Sequence, residues 1–253
     1  MNIEPKVVVV SALCGLCFIL LSLSSSWIGT VLWSFVLLLA GFLSTQWAPE
    51  LEHEHANRAM ITIPVLFLLF GGVLMFVLVE HALARRLAAF LTTFGFFVAL
   101  TAVYDKQLPP GLHIRRLIPT MRMVLYGGLY ALFAAGFGIM VFLKLPVWFF
   151  AISLAALCGL AVLSLLIIAS SDHQRLLPSV FVLSVLTFEL FWVITFLPLS
   201  YPVAGFLMAT AVYAAVQAVA QHGAGDRLKK RARQRIIGAG VATIILLIVA
   251  RWV

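Results

Sequence analysis

Long apolar segments recur along the chain, separated by shorter polar ones, and they limit its fold more than any other feature. A helix of about 20 apolar residues crosses the hydrocarbon of a bilayer, because it rises about 1.5 Å per residue and satisfies its own backbone hydrogen bonds. Nine segments meet this requirement, roughly at Lys6–Ser24, Trp27–Gln46, Ile61–Glu80, Leu87–Tyr104, Met123–Leu143, Val147–Ser170, Ser179–Leu197, Val203–Gln221 and Ile236–Arg251. The sequence predicts an all-α polytopic transmembrane helix bundle of about nine spans, in a single transmembrane domain over residues 1–253.

The composition excludes a soluble globular protein. The chain is 64% hydrophobic and 10% charged, whereas soluble domains carry about 45–50% apolar and about 25% charged residues. A soluble protein of this length has too little interior for so many large apolar side chains. The three cysteines lie in apolar segments and form an odd, sparse set, which argues against a disulfide framework.

The basic residues predict the orientation of the spans. Four longer polar loops alternate with short turns, and they lie at Trp47–Ala59, Asp105–Arg122, Ser171–Leu177 and His222–Arg235. Thirteen of the 17 lysines and arginines lie in these loops or at the N-terminus. The positive-inside rule therefore places the N-terminus in the cytoplasm and the C-terminus outside. The short turn predicted at Ala84–Arg86 departs from the rule, because its two arginines fall on the outer side.

Glu189 is the one acidic residue near the middle of a predicted span. A charged group at the bilayer centre costs about 2.5–3.5 kcal/mol on insertion scales, so we expect it to face the bundle interior and to find a partner. Counting from the turn near Ser200 places Glu189 near the level of Ala211 to Tyr213. Gln217 lies four residues after Tyr213 and shares its face, which predicts a hydrogen bond from Tyr213 or Gln217 to Glu189. Glu189, Tyr213, Gln217 and Trp192 form a candidate ligand or proton site; the favoured structural interpretation is a polar clamp that holds the hairpin.

A basic cluster precedes the last predicted span. It consists of Arg227, Lys229, Lys230, Arg231, Arg233 and Arg235. Each of these residues adds about 1 kcal/mol of attraction to an anionic lipid surface. Fixing the topology is the simpler interpretation, and contact with anionic headgroups at the cytoplasmic face is a second one. We expect membrane lipids as partners and no nucleic acid; the sequence identifies no protein partner.

The sequence patterns do not indicate a metal site, a cofactor site or a catalytic site. Acids and histidines alternate over Glu50–His55, but on a helix His53 and His55 point to different faces. The other histidines lie at segment ends or in loops, which argues against buried haem ligation. Catalytic serine, zinc-hydrolase and phosphate-binding motifs are absent from the sequence. We therefore predict no metal, no cofactor and no catalytic residue.

The segment Glu189–Ser200, which reads ELFWVITFLPLS and precedes a helix ending at Tyr213, resembles bacterial multi-pass membrane proteins without an assigned activity. The resemblance implies no activity. We expect the chain to be a multi-pass protein of the cell membrane, typically of a bacterium. The resemblance implies that Glu189, Trp192, Pro198 and Tyr213 belong together.

Two function classes follow from the sequence. The first is a non-catalytic membrane component or transport-like protein that binds a small or lipidic ligand near Glu189. The alternative is a membrane enzyme that acts on a lipid at the cytoplasmic interface, through the polar loops Trp47–Ala59 and Asp105–Arg122.

Overall fold

The fold is all-helical throughout the part of the chain that the structure, a computed structural model, describes. That part comprises residues 4–23, 27–46, 58–104, 110–144, 146–169 and 176–221, with isolated positions 234, 237, 238, 240 and 241. It contains eight helices: α1 (Pro5–Leu23), α2 (Trp27–Gln46), α3 (Arg58–Leu78), α4 (Ala82–Tyr104), α5 (Pro110–Leu143), α6 (Val147–Ala169), α7 (Leu176–Thr195) and α8 (Tyr201–Gln221). All eight are long and apolar enough to cross a membrane. The predicted all-α transmembrane bundle is confirmed.

The ninth predicted span, Ile236–Arg251, lies almost entirely outside the described residues. The few described positions there, from Ile237 to Val241, are helical. The count of nine spans, the single domain and the orientation therefore stay predictions.

The turn between α3 and α4 lies at residues 79–81, a few positions before the predicted turn at Ala84–Arg86. Arg85 belongs to the first turn of α4, and its Nε donates a hydrogen bond to the carbonyl of Val79 at 3.0 Å. Its guanidinium group also lies 5.7 Å from the centre of the Phe76 ring, within the range of a cation–π contact. Arg85 therefore satisfies a carbonyl at the end of α3 that the helix itself leaves unpaired.

Helix α5 begins at Pro110, thirteen residues before the predicted start at Met123. The predicted loop Asp105–Arg122 is therefore wrong over most of its length. Proline suits the first position of a helix, because a backbone N–H at that position would have no hydrogen-bond partner within the helix. Leu117 and Met121, one turn apart, are fully buried, so packing extends the helix beyond its most apolar part.

The helices group into two compact units, residues 1–128 and 129–253. In the first unit α1 packs against α2 and α4, and α3 packs against the same two helices. The start of α5 joins this unit at Gly128, where an added methyl group would lie 2.6 Å from the backbone nitrogen of Leu68. Such a close approach of two helix backbones is typical of glycine in membrane helices.

Hydrogen bonds between helices join the ends of α2, α3 and α4 in the first unit. The Tyr104 hydroxyl donates to the carbonyl of Ser44 at 2.9 Å. The Thr62 hydroxyl donates to that of Thr45 at 3.0 Å, and both threonines are buried.

The second unit is built around the later part of α5, where almost every side chain from Leu129 to Gly138 is buried. The three remaining helices all contact it. A methyl group on Gly205 of α8 would lie 2.6 Å from Cα of Ala134, and Gly136 lies against Leu154 of α6. Phe137 stacks on Phe191 of α7, and α7 packs most extensively on α6.

Candidate functional site

Helix α7 has one buried face, which fixes its rotation in the second unit. Thr187 is 1% exposed and Phe191 is 0% exposed. The Thr187 hydroxyl donates to the carbonyl of Leu183 at 2.7 Å and lies 3.3 Å from the sulfur of Cys158 on α6. The Phe191 ring stacks on Phe137 with centroids 4.4 Å apart and planes 20° from parallel. These contacts hold α7 against α5 and α6.

Small residues bring α6 and α7 close together, although no motif in the sequence marks them. A methyl group on Gly159 would lie 2.6 Å from the hydroxyl oxygen of Ser184. The available signal was the small size of these two residues, because close packing of helices in lipid favours Gly and Ser at the contact.

Glu189 lies on the opposite face of α7 and is exposed. Glu189 is two residues from Thr187 and two residues from Phe191. Two residues correspond to a rotation of about 200° around the helix axis, so Glu189 points roughly opposite to both side chains. The buried face therefore directs Glu189 away from α5 and α6. Within the second unit Glu189 therefore does not face the interior, unlike the sequence-based expectation for the carboxyl group.

Glu189 belongs to a stripe of exposed side chains that runs along the whole of α7. We call this stripe the outward face of α7; it includes Phe196, which directly follows the last residue of the helix, and its members are Leu177, Phe181, Val182, Val185, Leu186, Glu189, Trp192, Val193 and Phe196. Every member except Glu189 is apolar or aromatic. The single carboxylate therefore has no polar neighbour on its own face.

The carboxylate lies well inside the apolar part of the helix. Thr195, the last residue of α7, lies six positions after Glu189, about 9 Å along the helix axis. In an α-helix the Cα–Cβ bond tilts toward the N-terminus. The side chain of Glu189 therefore leaves the backbone in the direction away from the nearer end of the span.

The structure brings together two of the four residues predicted for this site. Trp192 shares the outward face with Glu189 and is 39% exposed, and its ring lies 6.1 Å from that of Phe188. Gln217 of α8 is only 7% exposed, and Tyr213 is partly buried. Within the described part of the chain, no hydrogen bond joins either of them to Glu189. Counting residues from the turn fixed the depth of these side chains but not their rotation about the helix axes.

No described span offers an opposite charge at the depth of Glu189. Among the eight spans, Glu189 is the only acid, and the lysines and arginines lie toward span ends, at Lys6, Arg85, Arg86, Arg116 and Arg122. The described spans therefore provide no group of opposite charge for Glu189.

The other predicted features add no second site in the described residues. The basic cluster Arg227, Lys229, Lys230, Arg231, Arg233 and Arg235 lies outside the described residues, as does the segment Glu50–His55. Cys14, Cys17 and Cys158 are buried and unpaired by disulfides. No three His, Cys, Asp or Glu side chains come together among the described residues.

Comparison with known proteins gives no relative from which a function can be carried over. No protein-family model, no curated protein and no solved structure matches this chain. The outward face of α7, with Glu189 at its centre, is the candidate functional site of an all-α membrane protein.

Proposed function

We propose that this chain is a non-catalytic component of a bacterial cell membrane that binds a membrane-embedded ligand through the outward face of α7. The observation that carries the proposal is the exposed position of Glu189 inside a span. A charged side chain there costs about 2.5–3.5 kcal/mol on insertion scales. A ligand that supplies a positive charge or a hydrogen-bond donor removes part of this cost, and therefore binds more tightly than one that does not.

The packing of α7 argues against a purely structural role for the acid. Thr187 and Phe191 hold the helix in place from its buried face, and Glu189 contributes to neither contact. A polar clamp between α7 and α8 would need a bond between Glu189 and Tyr213 or Gln217, and the described residues form none. The ligand-contact interpretation is therefore favoured over the clamp.

The alternative of a lipid-modifying enzyme rests on two polar segments that lie partly outside the described residues. Its proposed loops include residues 47–57 and 105–109, which lie outside the described part of the chain. The remainder belongs to α3 (residues 58 and 59) and to α5 (residues 110–122). No observation favours this alternative.

Photo-crosslinking in the membrane of the cell from which the chain derives tests the proposal. A photoreactive amino acid replaces Val193, which is 58% exposed on the outward face, and in a second variant it replaces Leu183 on the buried face. We expect a discrete adduct from position 193 and none from position 183. The adduct should fall at least fivefold when Glu189→Gln is combined with the probe.

Two controls make the result specific to Glu189. Glu80→Gln removes an exposed acid at the α3–α4 turn and should leave the adduct unchanged. Lipid adducts alone, or a discrete adduct that persists in Glu189→Gln, would contradict the proposed function.

A further inference from the structure

Resting on the proposed function, we infer that the ligand of the outward face of α7 is a membrane-spanning helix of another protein that carries a lysine or arginine side chain near the bilayer centre. Three features carry this inference: the shape of the face, the spacing of its residues and its charge.

The shape of the face favours a helix over a small molecule. Sites for small molecules are concave and cover most of the ligand surface. The outward face is one side of a single helix, and its exposed apolar residues extend from Leu177 to Phe196, along the entire span. A partner that crosses the whole membrane covers such a surface along its full length.

The spacing of the exposed residues matches the contact line of two helices. Val182, Val185, Glu189, Trp192 and Phe196 follow one another at intervals of three and four residues, and all are exposed. This is the spacing of a left-handed helix pair, which is the most common packing of helices in membranes. Glu189 is the middle member of the series, so a partner on this line passes directly over the carboxylate.

Charge complementarity selects the chemistry of the partner. A carboxylate in hydrocarbon is best matched by a lysine or arginine, and the described spans carry no such residue near their centres. A second copy of this chain would place another carboxylate opposite Glu189, and two such groups repel each other unless they share a proton. A basic side chain from a different protein pairs with the carboxylate without this repulsion.

Designed peptides in vesicles test this inference without knowledge of the natural partner. The full chain is reconstituted in phosphatidylcholine vesicles, and energy transfer reports its association with a peptide. One peptide is an alanine–leucine span with a central lysine, and the other has leucine at that position. We expect the lysine peptide to associate about tenfold more strongly than the leucine peptide, as polar contacts between membrane helices permit.

The variants assign this preference to Glu189. Glu189→Gln should remove it, Glu189→Asp should keep most of it, and Glu80→Gln should leave it unchanged. Equal association of both peptides with the unmodified chain overturns the inference, and this comparison needs no variant to fold. Association between copies of the chain that is lost in Glu189→Gln, with no preference for lysine, overturns it in favour of a second copy.

The two proposals fail in different ways. If the peptide preference is absent but the adduct at position 193 still depends on Glu189, the proposed function stands and the identity of the partner is wrong. If the adduct is also independent of Glu189, both proposals fail.

Discussion

Two alanine substitutions on opposite faces of α7 should have very different effects on stability. Phe191 is 0% exposed and stacks on Phe137, whereas Glu189 is exposed and forms no hydrogen bond within the described part of the chain. Because the two residues are only two positions apart, they differ little in depth and local sequence. Phe191→Ala should therefore destabilise the protein, and Glu189→Ala should not.

The magnitude follows from what each side chain contacts. Phe→Ala in soluble cores costs about 3–5 kcal/mol, which combines the transfer of the ring from water with the cavity left behind. In a membrane the unfolded helix stays in an apolar medium, so mainly the packing part remains. The ring pair itself contributes about 0.5–1.5 kcal/mol. We expect a loss of about 2 kcal/mol for Phe191→Ala, and a change within about 0.5 kcal/mol for Glu189→Ala, as for other exposed positions.

Reversible unfolding of the reconstituted protein by titration with a denaturing detergent measures both values. Both variants and the unmodified chain are compared in the same mixed micelles. Because the unfolded helix stays in an apolar medium, the insertion cost of the carboxylate is the same in the folded and unfolded states and cancels. Equal losses for the two variants would refute the assignment of the two faces. So would a Glu189→Ala loss larger than that of Phe191→Ala.

Three further substitutions test individual features of the fold by the same assay. Gly128→Ala should lower the free energy of unfolding by more than about 1 kcal/mol, because the new methyl group would meet backbone atoms at 2.6 Å. Gly127→Ala should be neutral or slightly stabilising, because the closest atom to its methyl group would lie at 3.8 Å. Lys144→Gly should stabilise by up to about 1 kcal/mol, because Lys144 follows α5 with a φ of 50°, where glycine is favoured; a loss of stability would contradict this. Arg85→Gln should cost about 1 kcal/mol through its bond to the end of α3, and the exposed Arg86→Gln should cost little; equal costs would contradict the capping role.

The spans could be predicted from sequence because their signal is local. An uninterrupted apolar segment of sufficient length must form a helix in lipid, and eight of the nine predicted segments correspond to described helices. The beginnings of α4 and α5 were harder to locate. Arg85 is polar yet belongs to α4, and the residues from Pro110 to Arg122 are helical although several of them are basic. In both places tertiary contacts extend the helix beyond its apolar part.

The rotation of each helix cannot be predicted from the sequence, and this is why the exposed position of Glu189 in the second unit differs from the expectation. Helix α7 is apolar on nearly all sides, so Phe191 and Val193 look equivalent in the sequence although one is buried and the other exposed. Which side faces the bundle depends on contacts such as the fit of Gly159 against Ser184, between residues distant in sequence. The depth of a residue in a membrane helix is a local property, whereas its rotation is set by its neighbours in space.

The accessibility of α7 to oxygen tests most directly whether Glu189 faces outward. Spin labels are placed one at a time at positions 186 to 193 in a chain whose three cysteines have been replaced, and the protein is reconstituted in vesicles without a partner. Oxygen concentrates in the bilayer interior, so labels exposed to lipid collide with it more often than labels that are packed against protein. We predict maxima at positions 189 and 193 and minima at positions 187 and 191. A minimum at position 189, as deep as that at position 191, would contradict the account.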